Sequence, residues 1–268
     1  MSSSRRAAAP NAPTQSTTQA VLANGLETLP DNPVHRPHDN DFLPNTPLAS
    51  SLVAFLLGCT FSLGVVLFLV GGIDGSWWAK YQLGFFVASW AAFHWAEFAV
   101  TAGWNREKVN IDSYLLNNGP QYHMANGFAV LEFLVTCWFF PTAKSKTSIS
   151  IIGIIMTVAS QALRSTAMIH AASNFAHLVA WEKLDTHQLV TNGVYAWMRH
   201  PSYTGFFFWG LGTQLALQNP ISFVIYAVVL WRFFYFRIIG EEKSLVRFFG
   251  DDYVQYRKRV GTWIPGIP

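Results

Sequence analysis

Long apolar stretches separated by short polar ones dominate the chain. Residues 49–70, 83–102, 124–140 and 149–170 each come close to the roughly 20 mostly apolar residues that a helix needs to cross a bilayer. Two shorter stretches, 203–217 and 221–236, are separated by Asn219-Pro220, a turn signal that makes them antiparallel neighbours. The pattern predicts an all-α, polytopic integral membrane protein with about six transmembrane helices, the last two forming a C-terminal hairpin. That final pair, near the lower length limit, thins the bilayer, leans on other helices or spans only in part. Beyond it, Leu245, Val246, Phe248, Phe249, Tyr253 and Tyr256 alternate with Lys243, Arg247, Asp251, Asp252 and Arg257, the pattern of an amphipathic segment on the membrane surface.

Composition agrees with a membrane setting. Charged residues make up 12% of the 268, about half the usual soluble share, and aromatics reach 16%. The net charge of +3 forms no long basic run, so a nucleic-acid surface is not indicated. Cys59 and Cys137 lie in apolar stretches and read as small hydrophobes, not as a disulfide or metal ligands. Residues 1–47, rich in Pro, Ser, Thr, Ala and Asn, lack an apolar run that could offset the entropy of ordering them and are expected to form a disordered tail. Residues 48–268 then form one membrane domain. Lys80, Lys144 and Lys146 fall on one side of the bilayer, while Arg106, Lys108, Lys183, Arg199, Arg237 and Lys243 fall on the other with the termini. The positive-inside rule makes that second side cytosolic.

The hairpin carries the candidate chemistry. Arg199-His200-Pro201-Ser202-Tyr203 opens it, and Arg237 with Glu241-Glu242 closes it, so two polar clusters far apart in sequence meet at the cytosolic face. Pro201 suits the first turn of a helix, whose free N–H groups and positive dipole end favour a carboxylate or phosphate. Arg237 and Glu241 are one helical turn apart; they form an internal ion pair, or Arg237 holds a ligand carboxylate in a bidentate fork. Glu242 fits a functional or a structural role. The stretch from Asp185 through His187, Gln188, Leu189 and Val190 to Tyr195 could wrap an adenine ring or be an ordinary connection. Deeper in the membrane, Arg164 is expected to pair with Glu97 or Glu132. His170 and His177 show no metal-ligand spacing, and no strand with a glycine-rich nucleotide loop appears.

The run from Leu189 to Gly205 (LVTNGVYAWMRHPSYTG), the Asn219-Pro220 turn, Glu241-Glu242 and Phe248-Phe249-Gly250-Asp251-Asp252-Tyr253 together resemble the isoprenylcysteine carboxyl methyltransferase family. The likeness extends from about His94 to the end and implies a catalytic region of about 171–268 with a cytosolic cofactor pocket. It implies S-adenosylmethionine-dependent methyl esterification of the C-terminal carboxylate of prenylated cysteine in processed CaaX proteins, such as small GTPases or lipidated peptides. By the resemblance, His187, Gln188, Leu189, Val190, Tyr195, His200, Pro201, Ser202, Tyr203 and Glu241 hold the cofactor, and Arg237 meets the substrate carboxylate. Arg199 assists in catalysis or anchors its loop. Ala180 departs from the glutamine that animal relatives tend to carry there. The family works in the endoplasmic reticulum membrane, and the charge asymmetry puts the termini and active site on its cytosolic side. The His-Pro and Glu-Glu skeleton alone is shared with phospholipid methyltransferases and sterol reductases, so the alternatives are a phospholipid N-methyltransferase and a non-catalytic lipid-binding membrane protein.

Overall fold

Seven α-helices make up the described chain: α1 (Pro47–Val70), α2 (Tyr81–Trp104), α3 (Pro120–Phe139), α4 (Thr147–Ala171), α5 (Pro201–Leu217), α6 (Pro220–Phe249) and α7 (Asp251–Arg259). The computed structural model describes residues 43–73, 75–178 and 182–267, and among them there is no strand. Both Ala180 and most of the expected N-terminal tail lie outside the described residues. From Leu43 the chain is tied down: Asn45 Oδ1 accepts the Ile111 N–H at 3.0 Å, and the Thr46 hydroxyl caps α1 through the Ala49 N–H at 3.2 Å.

Each of the six apolar stretches forms a helix. Four helical segments, Pro47–Val70, Tyr81–Trp104, Thr147–Asn174 and Pro220–Phe249, are long and apolar enough to cross a membrane. The other two expected spans fall short for separate reasons. Helix α3 opens on the polar Gln121, Tyr122, His123 and Asn126, and α5 has only 17 residues.

What α5 lacks in length it gains in burial. Nearly the whole helix is enclosed, with α4 against one side and α6 against another. Small residues allow the α4 approach: a Cβ on Gly153 would fall on the Ala216 backbone nitrogen, and one on Gly212 would meet the Thr157 hydroxyl. The α1–α2 pair uses the same device, with Gly84 lying against the backbone of Phe68.

Polar stitching fixes the hairpin turn. The buried Lys144 ammonium donates to Gln218 O at 2.8 Å and Asn219 Oδ1 at 2.6 Å, while Asn219 Nδ2 donates to Ala129 O at 2.8 Å. Glu132 of α3 accepts the Ile221 and Ser222 N–H groups at 3.0 and 2.6 Å, capping the first turn of α6. A carboxylate at a helix N-terminus satisfies donors that have no partner within the helix and complements the dipole. Helix α6 then runs unbroken for 30 residues, about 45 Å at 1.5 Å per residue, against a hydrocarbon thickness of roughly 30 Å. Its last turns therefore carry Arg237, Glu241 and Glu242 past the apolar run to the level of the α5 start.

Candidate functional site

Proline sets where α5 begins. His200 has non-helical backbone angles (φ −123°, ψ 59°), Pro201 is the first helical residue, and Ser202 and Tyr203 follow in the first turn. This turn meets the end of α6. The His200 and Tyr203 rings stack with centroids 5.5 Å apart and planes within 3°. Tyr203 donates its hydroxyl to Glu241 Oε2 at 2.6 Å, and Arg237 Nε donates to the same hydroxyl at 2.9 Å. Among the described residues Arg237 and Glu241 form no direct ion pair, and the phenol stands between them. The Arg237 guanidinium also donates to the His177 carbonyl and lies over the Tyr203 and Phe233 rings.

Glu242 faces the other way and joins three elements. Its carboxylate accepts from Arg199 Nε at 2.8 Å and from the Tyr253 hydroxyl at 3.1 Å, and lies 3.2 Å from His200 Nε2 and 3.4 Å from Arg257. Arg199 donates further to the Arg257 and Val260 carbonyls at 3.0 and 2.5 Å, and its own N–H bonds Gly261 O at 2.9 Å. The surface segment α7 is thereby fastened over the hairpin. Tyr256 donates to the Tyr195 carbonyl at 2.5 Å, which joins α7 to the loop before α5. Burial pushes the Tyr195 and Tyr253 phenols up and the Tyr256 phenol to about 12, so all three remain neutral donors.

Two of the cavities bordering this frame meet at a common wall. The smaller lies under α7 and is lined by nine of the ten residues expected around a cofactor: Gln188, Leu189, Val190, Tyr195, His200, Pro201, Ser202, Tyr203 and Glu241. Arg199 also reaches its wall. The tenth, His187, is not in the lining: its Nδ1 accepts the Leu184 N–H at 3.4 Å, and its ring lies 6.5 Å from that of Phe248. Burial, with Lys108 and Lys183 nearby, lowers its pKa. The Gln188 N–H is held by Asn174 Oδ1 at 2.7 Å, and the Tyr195 hydroxyl by the Ala167 carbonyl at 3.2 Å.

The larger cavity, about 810 Å³, lies between α3, α5 and α6. Its walls are apolar and aromatic, including Phe206, Trp209, Tyr226, Leu230 and Phe234, and three guanidinium groups, Arg164, Arg232 and Arg237, line it with no carboxylate. Arg164 is partly committed elsewhere. It grips Glu97 at 2.5 and 2.7 Å and donates to the Ser202 carbonyl and hydroxyl at 3.1 and 2.8 Å. Of the two partners open from sequence, Glu97 is therefore the one used. His177 Nε2 adds a contact to the same carboxylate at 3.0 Å.

Phe175, Ala176 and Tyr203 line both cavities and form their common wall. The 175–176 part had no sequence signal, because an irregular segment has no periodicity to read. It is held from below: Lys108 donates to the Ser173 and Phe175 carbonyls at 2.5 and 2.9 Å, and Asn105 to the Phe175 carbonyl at 2.8 Å.

Comparison with known proteins places this arrangement. The model of the isoprenylcysteine carboxyl methyltransferase family matches residues 153–247. The mouse protein-S-isoprenylcysteine O-methyltransferase is 45% identical over 214 residues, covering 80% of this chain and 74% of its own length. The Saccharomyces cerevisiae protein of the same name is 44% identical over 188 residues, covering 68% and 79%. The solved structure of a eukaryotic intramembrane Ras methyltransferase, an isoprenylcysteine carboxyl methyltransferase, is similar with a TM-score of 0.77 at 40% identity, covering 81% of this chain and 76% of that one.

Proposed function

The chain belongs to the isoprenylcysteine carboxyl methyltransferase family, and from that premise we propose how its two cavities divide the work of methylating prenylcysteine. It is a multi-pass membrane methyltransferase. The larger cavity takes the prenyl chain and the cysteine carboxylate of a processed CaaX protein. The smaller takes S-adenosylmethionine. The observation that carries this reading is the common wall at Tyr203, which touches both spaces and hydrogen-bonds Arg237 on one side and Glu241 on the other.

The residues of the smaller cavity fit such a cofactor by their chemistry. Leu189, Val190 and Tyr195 line that cavity together, and backbone groups with an aromatic ring suit an adenine. Glu241 presents a part-exposed carboxylate to a sulfonium, an ammonium or ribose hydroxyls. The N-terminal turn of α5 at Pro201-Ser202 complements an amino-acid carboxylate. When bound, S-adenosylmethionine supplies an electrophilic methyl group. Among the expected positions His187 is the exception, standing outside the lining.

In the larger cavity, Arg237 binds and orients the carboxylate. A C-terminal carboxyl group has an unperturbed pKa of about 3.3 to 3.7, so it is already an anionic nucleophile at neutral pH and needs no base. Positioning in a water-poor pocket can then supply up to about 7 to 11 kcal/mol of the barrier reduction. Tyr203 keeps the Arg237 fork in place and closes the wall against water. Arg199, with its guanidinium engaged by Glu242 and the Arg257 and Val260 carbonyls, serves as a positioning residue for the cofactor loop. The membrane methyltransferase domain spans about 48–268, with its catalytic part at about 171–268.

A phospholipid amine is the less suitable substrate. Its headgroup would bring an ammonium into a lining where Arg164 is paired with Glu97 and where Arg232 and Arg237 add two guanidinium groups with no carboxylate in the wall. The charge asymmetry of the loops supports a cytosolic active site and cytosolic termini, and the family supports an endoplasmic reticulum location. Purified full-length protein in vesicles, given labelled methyl donor, should label a farnesylcysteine analogue and leave phosphatidylethanolamine unlabelled. Label confined to the phospholipid would overturn the substrate assignment.

A further inference from the structure

One cation on α6 is unexplained by the site described so far. Arg232 lies five residues before Arg237, about 7.5 Å deeper along the helix. Its side chain is exposed, on a face shared with the exposed Ile225, Val228, Val229 and Phe236. It also lines the large cavity, and among the described residues its guanidinium contacts a ring, Phe236 at 5.1 Å, but no carboxylate. A charge at membrane depth that has no carboxylate partner and faces a cavity typically marks a substrate path, so a ligand for Arg232 is sought in the cavity it lines.

Two observations set the chemistry of that occupant. Phe236 is one turn nearer the Arg237 end, so the contact lifts the guanidinium from its backbone position toward the polar boundary. Beside it, Trp231 Nε1 donates to the Pro265 carbonyl at 2.7 Å, so polar backbone from the C-terminal segment reaches this level of the helix. The cavity lining holds cations without carboxylates, and its complement is an anion. An amphiphile moving in the bilayer with its hydrocarbon among the lipids would meet Arg232 on the outer face before Arg237 within.

We infer that Arg232 is a capture site at the lipid-facing rim of the large cavity for the anionic headgroup of a membrane-borne amphiphile, in turnover the carboxylate of the lipidated cysteine on its way to Arg237. This rests on the prenylcysteine reading above. Arg232 does not touch the reacting atoms at transfer, so its effect falls on substrate capture and KM, with kcat left alone.

The test compares wild type, Arg232→Gln and Arg232→Lys as full chains in phosphatidylcholine vesicles. A farnesylcysteine analogue is the substrate and its carboxamide a competing ligand; direct binding of both is measured beside turnover. For Arg232→Gln the expected result is about a tenfold rise in KM and Kd for the carboxylate, with kcat within about twofold. Arg232→Lys recovers part of the loss, and the carboxamide binds wild type and Arg232→Gln equally. Unchanged carboxylate affinity overturns the capture role. Equal weakening of carboxylate and carboxamide overturns it in favour of packing. A defect that appears only when anionic phospholipid is added identifies a lipid phosphate as the occupant and overturns the substrate assignment. Wild-type methylation of the analogue tests the parent reading, while the binding difference tests Arg232 by itself.

Discussion

Arg237 and Glu241 lie one turn apart on α6 yet communicate through a third side chain: Arg237 Nε donates to the Tyr203 hydroxyl at 2.9 Å, and that hydroxyl donates to Glu241 at 2.6 Å. A bare ion pair would neutralise Arg237. With the phenol interposed, the guanidinium retains charge for a substrate anion and Glu241 remains available to the other cavity. Tyr203→Phe should therefore lower kcat/KM for a farnesylcysteine analogue by about 10- to 100-fold, the range for losing a hydrogen bond to a charged group. The ring stack on His200 would persist. Steady-state kinetics with a melting curve checks this, and activity within twofold of wild type would argue against the bridge.

Arg237→Ala should reduce methylation by about two orders of magnitude or more while S-adenosylmethionine binding largely survives, because the side chain lines only the larger cavity. Arg237→Lys should recover little, since an ammonium cannot reproduce the bidentate fork. Calorimetric titration of the cofactor separates the two effects: simultaneous loss of cofactor binding would point to collapse of the shared wall.

The Glu97–Arg164 pair is buried, so removing one partner strands a charge. Glu97→Leu or Arg164→Met should each destabilise the protein by about 3 to 5 kcal/mol, and the Glu97→Leu/Arg164→Met double variant by less than the sum of those two single changes. Thermal unfolding in detergent is the measurement. Strict additivity would remove the case for coupling.

Glu242→Gln should loosen α7. The carboxylate holds Arg199, Tyr253 and Arg257, and α7 roofs the smaller cavity through Tyr253 and Tyr256. Cofactor affinity should fall while the affinity for the lipid substrate changes little, and protease cleavage near Gly250 should quicken. Unaltered cleavage would disconnect Glu242 from the roof.

If the nucleophile is a carboxylate ionised above about pH 3.7, saturated turnover should change less than about twofold between pH 6.5 and 8. A tenfold rise per unit over that window would require a deprotonating base that the proposed chemistry lacks.

Much of this was legible in the residues, and for identifiable reasons. Apolar runs marked all six long helices, because burial in lipid leaves little room for charge, and His200-Pro201 marked the start of α5 because proline admits few alternatives. The sequence left open whether the last apolar helix continues past Phe236, and α6 runs on unbroken to Phe249. The partner of Arg164 was left as Glu97 or Glu132, since sequence does not reveal which helix faces it, and Glu132 proved to cap a helix that begins 88 residues later at Pro220. Lys108 read as a topology signal in a cytosolic loop, whereas its ammonium supports the wall between the cavities. Such a contact joins two irregular segments, and neither advertises the other. His187 followed the resemblance into the cofactor set, but its ring settles beside Phe248.

Because Arg232, Arg237 and Glu241 are all carried on the same unbroken 30-residue rod, a rigid tilt of α6 displaces the lipid-side and water-side walls in concert. On the proposed division of the two cavities, departure of the lipidated methyl ester and of the spent donor would then be mechanically linked, the stiffness of one helix setting the timing of both.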